Sequence, residues 1–337
     1  MTPAFNQMTS TTKGHPVQDP SELFSFETDT SLAQMQASVL VVALEGFIDA
    51  GQTQKLLADH LLETHPSTVV ASFDVDQLLD YRGRRPAMTF DRDRWTSYDD
   101  PSLLLHRLTD QQGDAFFLLT GPEPDYQWSR MAEATVRLIK ALGVRLTVSV
   151  HGIPMAVPHT RPIGVTAHAT DARLIPENEV AFGEMQVPGS FTGLLEYRLG
   201  EAGRDAIGFS IHVPHYLGQG EYPEAAVAAL DRVTTATGLD LDRTALAAAA
   251  GLNRLEIDRQ VADSDEVAAV VHALEEQYDS FLEGRKRRSL LATELKDLPT
   301  ADEIGAEFEA FLKDVTDEKD VPDEGDAGSA ADSGPTS

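Results

Sequence analysis

Cysteine is absent from the 337 residues, and basic residues are scarce. Without a thiol the chain can form no disulfide, no thiolate metal site and no cysteine nucleophile, and this fits a reducing compartment. The 27 basic residues stand against 55 acidic ones, which gives a formal net charge of −28. Such a charge repels phosphate backbones and anionic lipid, so we expect neither nucleic acid nor a membrane as a partner.

Long apolar runs are also lacking. The longest ones, residues 39–44 and 115–119, fall far short of the roughly 20 residues that a helix needs to cross a bilayer. Before residue 55 the chain carries one lysine, Lys13, no arginine and no apolar segment of signal-peptide length. We therefore expect no cleaved export signal and predict a cytoplasmic protein.

What the sequence does contain is a buried strand that leads through a glycine turn into a helix. Residues 39–44 are apolar and rich in valine, Gly46 and Gly51 bracket a turn, and a helical pattern follows. This order is typical of an α/β domain whose strands are covered on both faces. We predict an α/β fold with a mostly parallel sheet covered by helices. The ligand crevice of such folds lies beyond the carboxyl ends of the strands.

The pattern divides the chain into four parts. They are a loosely ordered arm (1–36), an α/β core (37–236), a helical C-terminal extension (237–315) and a disordered acidic tail (316–337). In the extension, apolar residues at helical spacing predict one amphipathic helix over 263–282 and another over 300–315. In the core, short β-type pieces between residues 80 and 110 predict a hairpin insertion or an antiparallel extension of the sheet. Gly152-Ile153-Pro154 predicts a turn.

The turn Gly46–Thr53 approaches the phosphate-binding pattern G-x-x-x-x-G-K-[ST], but Gln52 stands where that pattern requires lysine. Without the ammonium group, and with Glu45 and Asp49 close by, the loop would repel phosphates, so nucleotide hydrolysis is disfavoured. Two interpretations stay open. Either Asp49 caps the following helix, or the loop faces a small molecule or a partner protein.

Other catalytic patterns are incomplete. The stretch Gly189–Gly193 has the glycines of a serine-hydrolase elbow but Phe191 at the nucleophile position. His212 and His215, with Pro214 between them, do not match a known metal-ligand spacing. We predict no catalytic residue, no metal and no cofactor. The candidates for ligand binding, at the predicted strand ends, are Glu45, Gly46, Asp49, Gly51, His151 and His212.

The turn Gly46-Phe47-Ile48-Asp49-Ala50-Gly51 resembles the glycine–aromatic–x–Asp–Ala–Gly turn of the proteasome assembly chaperone 2 family, in its actinobacterial-like branch. The Gly152-Ile153-Pro154 segment is also similar to that family, and the resemblance covers residues 37–236. It implies a phosphorylase/hydrolase-like α/β fold and, from eukaryotic relatives, a chaperone role in building the proteasome α ring. It implies no established catalytic residues. Some relatives dock through a C-terminal hydrophobic–Tyr–x tail, from which Gly334-Pro335-Thr336-Ser337 departs.

Two functions follow as hypotheses. The first is a non-catalytic assembly-chaperone-like or interaction protein that associates with itself and with another protein. The alternative is a nucleoside phosphorylase/hydrolase-like enzyme, or a small-ligand binder, that uses Glu45, Asp49, His151 and His212 in the strand-end crevice.

Overall fold

A computed structural model describes residues 18–27, 35–46, 48–176 and 184–283. Phe47 of the glycine turn lies outside these residues. So do most of the predicted arm, the predicted helix over 300–315 and the predicted acidic tail.

The described residues include ten strands and six α-helices, with short 3-10 turns and loops between them. The strands are β1 (Phe24–Phe26), β2 (Val39–Glu45), β3 (Ser67–Phe73), β4 (Met88–Asp91), β5 (Arg94–Tyr98), β6 (Leu104–Thr109), β7 (Ala115–Pro122), β8 (Leu146–Met155), β9 (Val165–Ala169) and β10 (Asp205–Pro214). The helices are α1 (Thr53–Thr64), α2 (Trp128–Ala141), α3 (Phe191–Glu201), α4 (Pro223–Thr237), α5 (Thr244–Ala262) and α6 (Asp265–Glu283).

Eight of the strands form one sheet in the order β1-β3-β6-β7-β2-β8-β10-β9. The four central strands, β7, β2, β8 and β10, pair in parallel. Antiparallel pairs complete the sheet on both sides, with β6, β3 and β1 on one side and β9 on the other. The predicted α/β fold, with a mostly parallel sheet covered by helices and a helical C-terminal part, is therefore confirmed, and the antiparallel outer strands make the sheet mixed.

The central strands separate two apolar cores. Because side chains alternate along a strand, Val39, Val41 and Ala43 of β2 face one core, and Leu40, Val42 and Leu44 face the other. The first core contains residues of α1, α4 and α5, and the second contains residues of α2 and α3. Burial on both faces explains why β2 is apolar at six successive positions.

The segment between residues 80 and 110 matches its prediction. Strands β4 and β5 form a separate two-stranded hairpin, and β6 extends the main sheet in antiparallel orientation. Farther along, α6 buries Val271 and Leu274 of the predicted apolar stripe but leaves Val267 and Val270 exposed.

Candidate functional site

The glycine turn after β2 is held against the loop that precedes α4. Gly51 adopts φ of +69°, a left-handed conformation that favours glycine. Its N–H donates to the carbonyl of Gly218, and its carbonyl accepts from the N–H of Tyr222, both at 2.9 Å. A Cβ at position 51 would lie 2.8 Å from the Cβ of Tyr222. Gly51 therefore lets the turn approach the α4 side closely.

Asp49 caps helix α1 from within this turn. Its carboxylate accepts hydrogen bonds from the N–H of Gln54 at 2.9 Å and of Lys55 at 3.4 Å. Burial raises the pKa of Asp49, and the negative charge of Glu45 adds to that rise, while hydrogen bonds from the backbone of Gln54, Lys55 and Gly152 act in the opposite direction. The geometry thus matches the first of the two interpretations of Asp49, that of a helix cap.

The predicted turn at Gly152-Ile153-Pro154 is wrong, because these residues continue strand β8. The strand pairs with β10 as far as Met155. A Cβ on Gly152 would overlap the carbonyl oxygen of Ala50 and approach the hydroxyl of Thr53 within 2.5 Å. The glycine is needed there because the start of α1 packs directly against the strand backbone, and not because the chain turns.

Glu45 and Gly46 lie beside Glu123, a residue that the sequence patterns did not indicate. The carbonyl of Glu45 accepts a 2.9 Å hydrogen bond from the N–H of Glu123. A Cβ on Gly46 would lie 2.7 Å from a carboxylate oxygen of Glu123. The other oxygen accepts from the N–H of Phe191 at 2.5 Å, at the start of α3. Glu123 thereby joins the carboxyl end of β7 to α3.

His151 and His212 lie on the opposite face of the sheet from α1. Val148 and Val150 belong to the α1 core, so strand alternation turns His151 toward the α3 side. There its Nε2 is 2.9 Å from the hydroxyl of Ser210, and Nε2 of His212 is 2.9 Å from that of Thr166. The structure thus separates His151 and His212, on the α3 side, from Asp49 and Gly51, which lie on the α1 side of the sheet.

Burial makes both imidazoles weak bases. It lowers the pKa of His151 to about 4, with the neighbouring His168 contributing, and the pKa of His212 to about 4. A general base is most effective with a pKa near the working pH. The contact between His151 and Ser210 is therefore poorly suited to activate the serine hydroxyl at neutral pH. Within the described part of the chain, no group of three or more His, Asp or Glu side chains is placed to hold a metal ion.

A polar network around the buried His159, which follows the carboxyl end of β8, escaped the sequence patterns. Nδ1 of His159 is 2.6 Å from the hydroxyl of Tyr216, and its Nε2 is 3.2 Å from Asp258 of α5. Arg254 donates to the carbonyl of His159 and bonds Asp258 at 3.1 Å. Burial, and to a lesser degree Arg254, lowers the pKa of His159, and Asp258 opposes this. The i, i+4 spacing of Arg254 and Asp258 was the available signal, but it does not identify the distant histidine.

The hairpin of β4 and β5 carries a cluster of exposed apolar side chains, which we call the aromatic hairpin. The rings of Phe90 and Trp95 meet edge to face with centroids 5.0 Å apart, yet they remain 55% and 61% exposed. Met88 and Tyr98 on the same strands are 48% exposed each. Large apolar groups clustered on a projecting element mark an interaction surface. As for membranes, we find among the described residues no helix with the length and apolar content of a bilayer span.

Comparison with known proteins gives consistent matches. A model of the PAC2 family matches residues 43–261. A Mycobacterium tuberculosis protein of unknown function is 46% identical, with 82% of this chain and 95% of that chain covered and a TM-score of 0.75. A Corynebacterium glutamicum protein of unknown function is 36% identical, covering 78% and 99%, with a TM-score of 0.72. A Mycobacterium tuberculosis proteasome-assembly chaperone homologue is 26% identical, covering 69% and 99%, with a TM-score of 0.62. No curated protein matches.

Proposed function

This chain belongs to the PAC2 family, and from that premise we propose that it is a cytoplasmic, chaperone-like protein that binds other proteins, associates with itself and catalyses no reaction. The observation that carries the proposal is the aromatic hairpin. Tryptophan and tyrosine dominate the binding energy of protein interfaces, because each buries a large rigid surface at a small entropic cost. Across its two strands the hairpin pairs Phe90 with Trp95 and Met88 with Tyr98, and all four side chains are exposed.

The polar groups at the strand ends support the absence of catalysis. Asp49 caps α1, Glu123 accepts from the backbone of α3, and His159 is held by Tyr216 and Asp258. Groups whose hydrogen bonds are made within the fold serve to position elements of structure, and they are poorly available to a substrate. Their arrangement therefore favours a scaffold over an enzyme.

The partner that we propose to test first is a proteasome subunit. The motivation is the Mycobacterium tuberculosis relative that is described as a proteasome-assembly chaperone homologue. Assembly chaperones bind subunits before these bury their own interfaces, so a projecting apolar surface suits the task. The expected contact is the aromatic hairpin against an apolar patch of the unassembled subunit.

The test uses the full chain and purified proteasome α-type subunits from the same organism. We expect a complex in sedimentation velocity, and we expect the double variant F90S/W95S to bind at least about tenfold more weakly, as befits the loss of two interface aromatics. Tyr197→Ser, which removes an aromatic side chain that is 62% exposed on α3, is the matched control and should bind like the wild type. Equal binding by F90S/W95S and the wild type would remove the hairpin from the proposal. A chain that stays monomeric and binds no subunit would contradict the proposal as a whole.

The enzymatic alternative is tested separately, by ligand binding. A nucleoside phosphorylase/hydrolase-like site would bind nucleosides, bases, sugar phosphates or phosphate. A ligand at 100 times its dissociation constant adds about 2.7 kcal/mol of stability, which a thermal-shift screen detects easily. We expect no shift with any of these compounds. A reproducible shift that Asp49→Asn or His151→Gln abolishes would favour the alternative.

A further inference from the structure

A cleft of about 540 Å³ lies between α4, α5 and the loop that follows β8. Sites for small molecules commonly have this size. Its lining includes Arg243, the residue before α5, and Ala247, Ala250, Gly251 and Arg254 of α5. The last four stand four, seven, eight and eleven positions after Arg243, so all five share one face of the helix. Three small residues thus form a floor between two arginines, and we call this cleft the arginine cleft.

Arg254 lies at one end of the arginine cleft with part of its guanidinium unused. Its Nε bonds Asp258 at 3.1 Å, while its Nη1 donates to the carbonyl of His159 and lies 3.4 Å from Glu224. No hydrogen bond between described residues involves Nη2. A cationic donor whose position is already fixed by other contacts is well suited to bind a carboxylate.

Arg243 lies at the other end. Eleven positions separate it from Arg254, which places the two Cα atoms about 16 Å apart along the helix axis, at 1.5 Å per residue. Arg243 forms an ion pair with Asp231 at 3.3 Å, and the two side chains are 57% and 49% exposed. Because an exposed pair of this kind contributes little to stability, Arg243 can turn toward a ligand at small cost.

The walls of the arginine cleft are largely apolar. Pro162 and Ile163 form one wall, and Val227 of α4 lies in the other. The loop that carries the first wall is anchored to α6, because Arg161 bonds both carboxylate oxygens of Asp279, at 2.9 and 2.6 Å. The space between the two arginines is therefore bounded by apolar and small side chains.

Charge in the arginine cleft differs from that of the whole chain. Its described lining residues include three arginines and one carboxylate, that of Glu224. The whole chain has 55 acidic and 27 basic residues. Asp231, Asp258 and Asp279 bond the arginines from positions outside the lining. An anion in the cleft therefore has cationic donors as its immediate neighbours.

We propose that the arginine cleft binds a small organic dicarboxylate, with a carboxylate group at each end and an apolar chain between them. Arg254 binds one carboxylate through Nη2, and Arg243 binds the other. The apolar chain lies on the floor of small residues, against the apolar walls. The lining does not include Asp49 or His151. Such binding is a further function, separate from the proposed one and from the enzymatic alternative.

Decanedioate is the probe, and decanoate, which has the same chain length and one carboxylate, is its matched control. In isothermal titration calorimetry of the full chain at neutral pH, decanedioate should bind at least about tenfold more tightly, because its second carboxylate gains charge-assisted hydrogen bonds. Adsorption through the apolar chain alone would favour decanoate, since a protein of net charge −28 repels a dianion more strongly. Inorganic phosphate, which has no apolar part, should not bind.

Two variants test the location of the site. Gly251→Leu fills the cleft and should abolish binding of decanedioate. The fold should tolerate it, because a Cβ at this position meets nothing within 4 Å and leucine favours a helix more than glycine does. Ala248→Leu, at an exposed position of α5 outside the lining, should bind like the wild type. Arg243→Gln should bring decanedioate to within about threefold of decanoate, and Arg145→Gln, at an exposed arginine before β8, should not.

Four outcomes would overturn the inference. They are no binding of decanedioate by the wild type at millimolar concentration, equal affinity for decanedioate and decanoate, undiminished binding by Gly251→Leu, and undiminished binding by Arg243→Gln. The variant F90S/W95S of the aromatic hairpin should bind decanedioate like the wild type. A chain that binds a proteasome subunit but no decanedioate would overturn this inference alone. A chain that binds decanedioate but no subunit and stays monomeric would contradict the proposed function alone.

Discussion

Acidification should destabilise the protein through His151 and His212, which are half-buried on the α3 side of the sheet. The pKa of His151 and of His212 is about 4 in the folded state, against 6.5 for an unperturbed imidazole. Between these values the unfolded chain binds more protons than the folded one, so stability is complete above pH 6.5 and is lost as the pH falls toward 4. From pH 7 to pH 5, the free energy of unfolding should decrease by about 2 kcal/mol for each histidine.

The measurement is urea denaturation at pH 7 and pH 5, for the wild type and for His151→Gln. The amide of glutamine reaches the position of Nε2 and can keep the contact with Ser210, but it does not titrate. The loss of unfolding free energy between the two pH values should therefore be smaller by about 2 kcal/mol in the variant than in the wild type. His215→Gln, at the surface-exposed residue 215, is the control and should lose as much as the wild type. Equal losses in His151→Gln and the wild type would refute the assignment of a neutral His151 in the folded protein.

Two further predictions concern the glycine turn and the strand that it touches. Asp49→Ala should lower the free energy of unfolding, measured by urea denaturation, by about 1 kcal/mol through loss of the cap on α1. The control Asp59→Ala removes an exposed ion pair with Lys55 and should change this free energy by less than about 0.5 kcal/mol. Similar values for the two variants would argue against capping. Gly152→Ala should cost about 3 kcal/mol or more, because the added methyl meets the backbone carbonyl of Ala50. In the control Gly208→Ala, the added methyl meets the ring of His168, which is 40% exposed and can rotate away. The thermal midpoint of Gly208→Ala should therefore fall less than that of Gly152→Ala. A larger fall in Gly208→Ala would contradict this reasoning.

The fold was largely predictable because its strongest signals are local. The apolar run of β2, the glycine turn and the helical pattern that follows it each depend on neighbouring residues, and each lies where the sequence predicts it. The turn predicted at Gly152-Ile153-Pro154 was wrong because a glycine and a proline this close together normally end a strand. Here strand β8 continues through them. Pro154 is tolerated because β2 pairs with β8 only as far as Ser149, beyond which β8 has a strand partner on one side.

The candidate site was less predictable because it depends on which face of the sheet each residue occupies. Asp49 follows the carboxyl end of β2, and His151 lies in the carboxyl-terminal half of β8. The alternation of side chains along β8 places His151 on the α3 side of the sheet, whereas Asp49 caps α1 on the other side. The extent of β8 and its register with β10 decide this, and neither is visible in the sequence. The pairing of His159 with Asp258 joins residues 99 positions apart, for which no local pattern exists.

The two edge strands of the main sheet limit the pairing of further strands onto it. At one margin β1 has three residues, and at the other β9 has five, and both run antiparallel to their neighbours. Such short edge strands offer few unpaired backbone N–H and C=O groups to the strand of another chain. Short edge strands are one way in which natural proteins avoid edge-to-edge aggregation of their sheets. Strand addition is thus discouraged at both edges of the sheet that the described residues form.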